Sequence, residues 1–140
     1  MQIDGRPVPN IKGVSETFWR EARAGRLVFQ RCPACAAPVF PARLMCPLCA
    51  NQALQWEASC GKGRIYSYTV VRQNRQPYFV RKTPYVVALV DVDPGFRMMS
   101  NIVGLEPEEV YVGMPVTVGF EVLTDDIALP FFTPEEVGRS

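Results

Sequence analysis

Four cysteines, Cys32, Cys35, Cys46 and Cys49, stand as two C-P-x-C pairs in the stretch "CPACAAPVFPARLMCPLC", in a chain with no histidine. Two chemistries use thiols spaced in this way. Disulfides belong to oxidising compartments, and the first residues, "MQIDGRPVPN", lack the basic patch and apolar core of a secretory signal. The other chemistry is a tetrahedral metal site, for which a repeated C-x2-C is the usual sequence form. Two-residue spacing lets both sulfurs of a knuckle reach one ion, and Pro33 and Pro47 help tighten each turn by fixing φ. The intervening "AAPVFPARLM" is long enough to bring the second knuckle back to the same ion. The expectation is a structural Zn(2+) held by four thiolates, because a catalytic zinc keeps a position open for water. So short a segment buries too little apolar area to fold alone, and the ion would supply on the order of 10 kcal/mol. The same sulfurs suit iron, which leaves a rubredoxin-like electron carrier as an alternative. Ala36 and Ala50 follow the knuckles where glycine, with its easy positive φ, is common.

Charge bears on partners. The net charge is +1, with seven Arg or Lys against three acids over residues 1–49 and eight against eleven over 50–140. Residues 105–140 hold eight acids and one arginine, which argues against the basic stripe of a nucleic-acid binder. Arg26, Arg31 and Arg43 lie near the cysteines with no acid between Leu27 and Ala50, so they either offset a tetrathiolate centre or are simply solvated. The longest apolar run, "YVVALV", is too short to cross a bilayer, so no membrane partner is expected and the compartment is taken to be the cytoplasm.

The elements that must position the cysteines are short. "VSETFWREARAGRL" reads as a helix with Ser15 at the cap, Val14 and Trp19 as a hydrophobic staple, and Gly25 at the end. Phe18 and Trp19 on so short a helix either pack on their own domain or dock on a partner chain. Residues 64–71, 84–92, 96–104, 116–122 and 127–132 read as strands, and "DPG" at 93–95 as a tight turn. In 116–122, Val116, Val118, Phe120 and Val122 alternate with polar or small residues and should face inward. Five such strands fit a small closed barrel of the OB-fold type. The fold class is therefore mainly β. The division is an N-terminal helical arm (1–25), a metal-bearing ribbon (26–58) and a five-stranded barrel (59–140).

Between the first two strands, "RQNRQPYFVRKT" places Arg72, Arg75, Arg81 and Lys82 around Tyr78 and Phe79. Interleaved cations and aromatics hold phosphates and stack a base; an ordinary solvated hairpin tip has the same composition. Cys60 has no histidine to serve as its base, so a small buried or half-buried residue is expected there. Asp91, Asp93 and the Glu106–Glu109 group form no recognisable acid/base pair. No catalytic residue is assigned.

The ordered set "FWREARAGRL", "CPAC…FPARLMCPLC", "GRIYSYTVV", "TPYVVALVDVD" and "VYVGMPVTVGFE", spanning about Val14 to Val122, resembles an acyl-CoA-associated family once known only as a domain of unknown function. Its members join a rubredoxin-like zinc ribbon to an OB-fold. The resemblance implies an accessory subunit of a thiolase-like enzyme, in thiolysis, acyl transfer or retro-aldol cleavage of an acyl-CoA. The partner, a thiolase-fold protein in a hetero-oligomer, would then carry the catalytic residues. It also implies acyl-CoA as a shared ligand, which would give the Arg72–Lys82 loop phosphates and an adenine to hold. The alternative is a single-stranded nucleic-acid-binding module, since ribbons and OB-folds both serve that purpose.

Overall fold

The computed structural model describes residues 13–73, 75 and 83–135, with the backbone of two short strands before them. Those two, β1 (Gln2–Ile3) and β2 (Arg6–Pro7), pair antiparallel. A helix follows, α1 (Glu16–Arg23), with Phe18 and Ala22 buried on its inner face. Ser15 occupies the cap position, but its hydroxyl makes no capping bond; only its carbonyl enters the helix, accepting from the Trp19 amide at 3.1 Å. The other end follows expectation. Gly25, at φ 84°, closes a Schellman motif in which the Gly25 amide donates to Ala22 O and the Arg26 amide to Glu21 O, both at 2.9 Å.

The chain then forms a three-stranded ribbon in the order β4-β3-β5, from β3 (Val28–Arg31), β4 (Pro38–Val39) and β5 (Gln55–Ala58). Val28, Phe29 and Gln30 are consecutively buried because β3 is covered on both faces, a pattern that alternation alone does not announce.

Five strands close the barrel: β6 (Lys62–Val71), β7 (Tyr85–Val92), β8 (Phe96–Ile102), β9 (Pro115–Val122) and β10 (Ala128–Pro134). Around the barrel they run β10-β8-β7-β6-β9, with β8 and β10 parallel and every other contact antiparallel. This is the OB-fold circuit. Closure depends on β6, which pairs β7 along most of its length and β9 at its start. At Gly63 the strands approach so closely that a Cβ would stand 2.9 Å from Val90 Cγ1 and collide with the carbonyl of Asp91. A register shift between Ile65 and Ser67 then bends the strand around the barrel. A single 3₁₀ turn (Pro107–Glu109) takes the place of a helix between β8 and β9.

One core serves helix, ribbon and barrel. Phe18 and Phe29 are buried in the same cluster as Ile65, Val90, Phe96 and Phe132. The rings form a chain: Phe18 meets Phe40 edge-on at 5.6 Å, Phe40 stacks on Phe96 at 5.0 Å, and Phe96 stacks on Phe29 at 5.0 Å. Aromatic pairs of this kind add about 0.5–1.5 kcal/mol each beyond area burial. Of the two roles open to Phe18, docking on a partner is corrected: it is 8% exposed and fills this chain's own core. Val122 also departs from expectation. It is 57% exposed at the last position of β9.

Candidate metal centre

The two knuckles are near copies in backbone as well as sequence. The Ala36 amide donates to Cys32 O at 2.8 Å and the Ala50 amide to Cys46 O at 2.9 Å. Cys32 N then donates to Ala37 O at 3.0 Å, and Cys46 N to Asn51 O at 2.9 Å. Both turns require a left-handed residue after the second cysteine. Ala36 and Ala50 adopt it, at φ 64° and 63°, despite their Cβ atoms. The turn geometry thus overrides the residue preference that made these alanines a departure.

The knuckles bring the four sulfurs within 4.8 Å of one another. Across the site, Cys32 Sγ lies 3.4 Å from Cys49 Sγ and Cys35 Sγ 3.6 Å from Cys46 Sγ. A tetrahedron with metal–sulfur bonds of about 2.3 Å has edges of about 3.8 Å. A disulfide needs about 2.05 Å. The donor set therefore fits a tetrahedral thiophilic ion and not a pair of disulfides, and all four cysteines are free. Cys32 and Cys46 are buried while Cys35 and Cys49 are exposed, so each knuckle contributes one inner and one outer ligand. Among the described residues, no other three Cys, Asp or Glu side chains converge closely enough to share an ion.

Without an ion the thiols sort into donor–acceptor pairs. The Cys35 amide, with the Ala34 amide and the Cys49 thiol assisting, outweighs burial and lowers Cys32 to about 7. The Asn51 amide acts to lower Cys49, but the other thiols and burial outweigh it and push Cys49 up to about 12. Burial acts to raise Cys46, yet the Leu48 and Cys49 amides and neighbouring thiols bring it below the usual thiol value. For Cys35 the Ala37 amide lowers, and burial with Cys32 and Cys46 prevails to raise it. Each short sulfur pair thus holds one favoured thiolate and one favoured thiol. A dication would displace the protons that the cluster retains.

The surroundings are less charged than the sequence suggested. Arg26 pairs with Glu21, and Arg31 with Glu57, so acids from outside the cysteine stretch reach in to meet them. Arg31 also donates to Ala36 O at 2.8 Å, bracing the first knuckle. Sequence reasoning missed Gln30. It is 4% exposed, and its amide group grips the backbone of Arg43 at both atoms: Nε2 donates to Arg43 O at 3.1 Å, and Oε1 accepts from Arg43 N at 2.7 Å. A polar residue between buried Phe29 and the knuckle was the available signal.

The other candidate residues lie apart from the metal cluster. Trp19 is half-buried and, with Phe18, Phe40, Met98, Val103 and Leu105, lines an apolar groove of about 1000 Å³ between helix, ribbon and barrel. Arg72 and Arg75 are exposed. Tyr78, Phe79, Arg81 and Lys82 lie outside the described residues. Cys60 is exposed, with its sulfur 3.9 Å from Asp93 Oδ2, which corrects the expectation of a buried thiol. It stands on the connection into β6, where the backbone leaves the ribbon and no second layer covers it. Asp91 is engaged by Arg97 at 2.7 Å, and the Glu109 carboxylate accepts from the Glu106 amide at 2.9 Å, so both acids have structural partners. No helix among the described residues is long and apolar enough to cross a membrane.

Comparison with known proteins agrees with this architecture. Residues 19–55 match the model of the "ChsH2, rubredoxin-like zinc ribbon domain" and residues 56–121 that of the "ChsH2, C-terminal OB-fold domain". A DUF35 domain-containing scaffold protein of Methanocaldococcus jannaschii is 36% identical over 101 residues, 71% of either chain. A probable enoyl-CoA hydratase alpha subunit of Thermomonospora curvata is 36% identical over 92% of this chain, which spans only 40% of that relative. A solved structure titled "Ltp2-ChsH2(DUF35) aldolase" superimposes with a TM-score of 0.81 at 35% identity, covering 91% of this chain and 98% of that one. The chain belongs to the DUF35 family of zinc-ribbon and OB-fold proteins, of which ChsH2 is a member.

Proposed function

We propose that this chain is a non-catalytic, zinc-stapled accessory subunit of a thiolase-like acyl-CoA-processing complex in the cytoplasm, acting in thiolysis, acyl transfer or retro-aldol cleavage. The observation that carries this reading is the near end-to-end match to a chain whose structure is titled as an aldolase with Ltp2. The chemistry agrees with it. The sulfur set offers a structural ion no open position. Of the acids that sequence reasoning singled out, Asp91 pairs with Arg97 and Glu109 accepts from the Glu106 amide, which supports structural roles for both. The arm (1–25), ribbon (26–58) and barrel (59–140) act in this proposal as one body that completes or shields the site of a thiolase-fold partner in a hetero-oligomer.

Acyl-CoA is proposed as a shared ligand. Arg72 and Arg75, exposed beside β6, supply cations for its phosphates. Tyr78 and Phe79 offer faces for adenine, with Arg81 and Lys82 adding charge. A nucleic-acid role fits less well, because the loop that would share the opposite side of an OB-fold binding face carries Asp125 and Asp126.

The test is co-purification of this chain with a candidate thiolase-fold partner from the same genome, with metal analysis of the product. The reading expects a stable complex, one zinc per chain and no red iron chromophore. A chain that stays alone on size exclusion, with the candidate partner's activity unaffected, would remove it.

A further inference from the structure

The outer end of the ribbon has an unusual surface. Residues 32–56 carry one charged side chain, Arg43, where the chain's 21% charged content would place about five. That depletion does not reflect burial. Leu44 and Leu48 are each 77% exposed and Met45 is 45% exposed, all at or beside the second knuckle. Nor is the loop held loosely. The buried Gln30 amide clamps the Arg43 backbone at both its donor and its acceptor, and Cys46 anchors the following turn in the metal cluster. Two leucines are thus held out into solvent on a fixed frame. Arg26 and Arg31 have acidic partners, whereas no carboxylate among the described residues meets Arg43.

We infer that this tip, Arg43, Leu44, Met45 and Leu48, is the preorganised docking surface by which the chain engages its protein partner, whose matching surface holds an apolar recess and a carboxylate facing Arg43. The inference rests on the accessory-subunit reading above and adds the face through which it operates. Depletion of charge, together with Met and Arg, is the composition of an interface core. A preformed frame lowers the ordering cost of association. Arg43, which meets no carboxylate among the described residues, sets the charge its partner must present, because leaving it desolvated and unmatched in an interface would oppose binding. The site couples to the metal. Losing the ion releases Cys46 and the turn that carries Leu48, so docking strength follows metal occupancy.

The experiment titrates the zinc-loaded full chain into the candidate thiolase-fold partner from the same genome. Leu44→Glu with Leu48→Glu is expected to raise Kd by about 30-fold or more. Arg43→Ala is expected to raise it about tenfold and to flatten the salt dependence, with Arg43→Lys recovering most of the loss. Tyr111→Glu and Val112→Glu, at 54% and 64% exposure on the barrel side and away from the groove, serve as controls; these are expected to stay within about threefold. All variants change exposed side chains, and zinc content and far-UV spectra confirm equal folding. Ribbon variants that bind as wild type overturn this inference and leave the accessory reading intact. Absence of binding by the wild-type chain overturns both. Self-association of the chain that the ribbon variants abolish, with partner binding untouched, assigns the face to a second copy and overturns the inference.

Discussion

Ala36 and Ala50 show how the metal site governs individual residues. Each is held in the left-handed region, where an L-residue with a Cβ costs roughly 1–2 kcal/mol. Ala36→Gly or Ala50→Gly is expected to stabilise the zinc-loaded chain by about 1 kcal/mol after the entropy of the unfolded chain is deducted. Thermal melting checks this, and a lower melting temperature in either variant would contradict the knuckle geometry. The sulfurs themselves predict a pH dependence. In the metal-free cluster Cys49 sits at about 12 and Cys35 is raised, so both carry protons at neutral pH that an entering ion must expel. Lowering the pH therefore weakens metal binding, by about tenfold per pH unit for each proton displaced. Competition titration with a chromophoric chelator between pH 6 and 8 reads the slope, and a pH-independent affinity would contradict thiolate ligation. Replacing the inner ligand by Cys46→Ser is expected to lose the metal, whereas Cys60→Ser, at an exposed thiol outside the cluster, leaves metal content at one per chain.

At the scale of elements, ribbon and barrel are joined by stacked rings rather than by a sheet. Phe96 comes from β8, while Phe29 and Phe40 come from the ribbon, so the barrel's core residue is covered by the metal-dependent unit. Phe96→Ala is expected to cost about 3–5 kcal/mol, read by denaturant unfolding. Stripping zinc is expected to remove hydrogen-exchange protection from the knuckle turns and β4 first and from the middle of β7 last, because the cluster that holds the knuckles is only Cys32, Val39 and Cys46 with Leu54 against it. Equal protection of the ribbon with and without metal would refute the staple. Gly63→Ala should cost about 1–3 kcal/mol, since the clash is with rigid backbone. The five barrel strands were legible in the sequence to within about two residues, because β-branched alternation and the Asp93–Gly95 turn are local signals, whereas the short ribbon strands β3, β4 and β5 were not read. The four cysteines were legible as a local signal too. Ser15 was not, since its composition suits a cap but its hydroxyl makes no such bond. Phe18, Val122 and Cys60 were misplaced because their exposure depends on which element packs over them, which is decided by contacts distant in sequence. Gln30 and the groove escaped notice for that reason too.

At the scale of the whole molecule, the features that bear on the proposed accessory role are the cysteine cluster and the exposed tip of the ribbon. The metal cluster closes on itself, and the ribbon tip presents apolar side chains on a rigid frame. The groove of about 1000 Å³ places helix, ribbon and barrel around one concave surface, so a partner seated there would feel the state of all three. Along the sequence, charge is divided between the basic stretch 72–82 and the acidic residues 105–140, which suits the CoA ligand proposed above better than a nucleic-acid strand. The measurement that reaches the central claim most directly is thioester turnover from a panel of acyl-CoAs by three samples: the zinc-loaded chain, the proposed thiolase-fold partner, and the two together. The account predicts no turnover by the chain, weak or no turnover by the partner, and full activity only in the mixture, lost again when zinc is removed. Turnover by the chain alone, or a partner whose activity is indifferent to its presence, would contradict it.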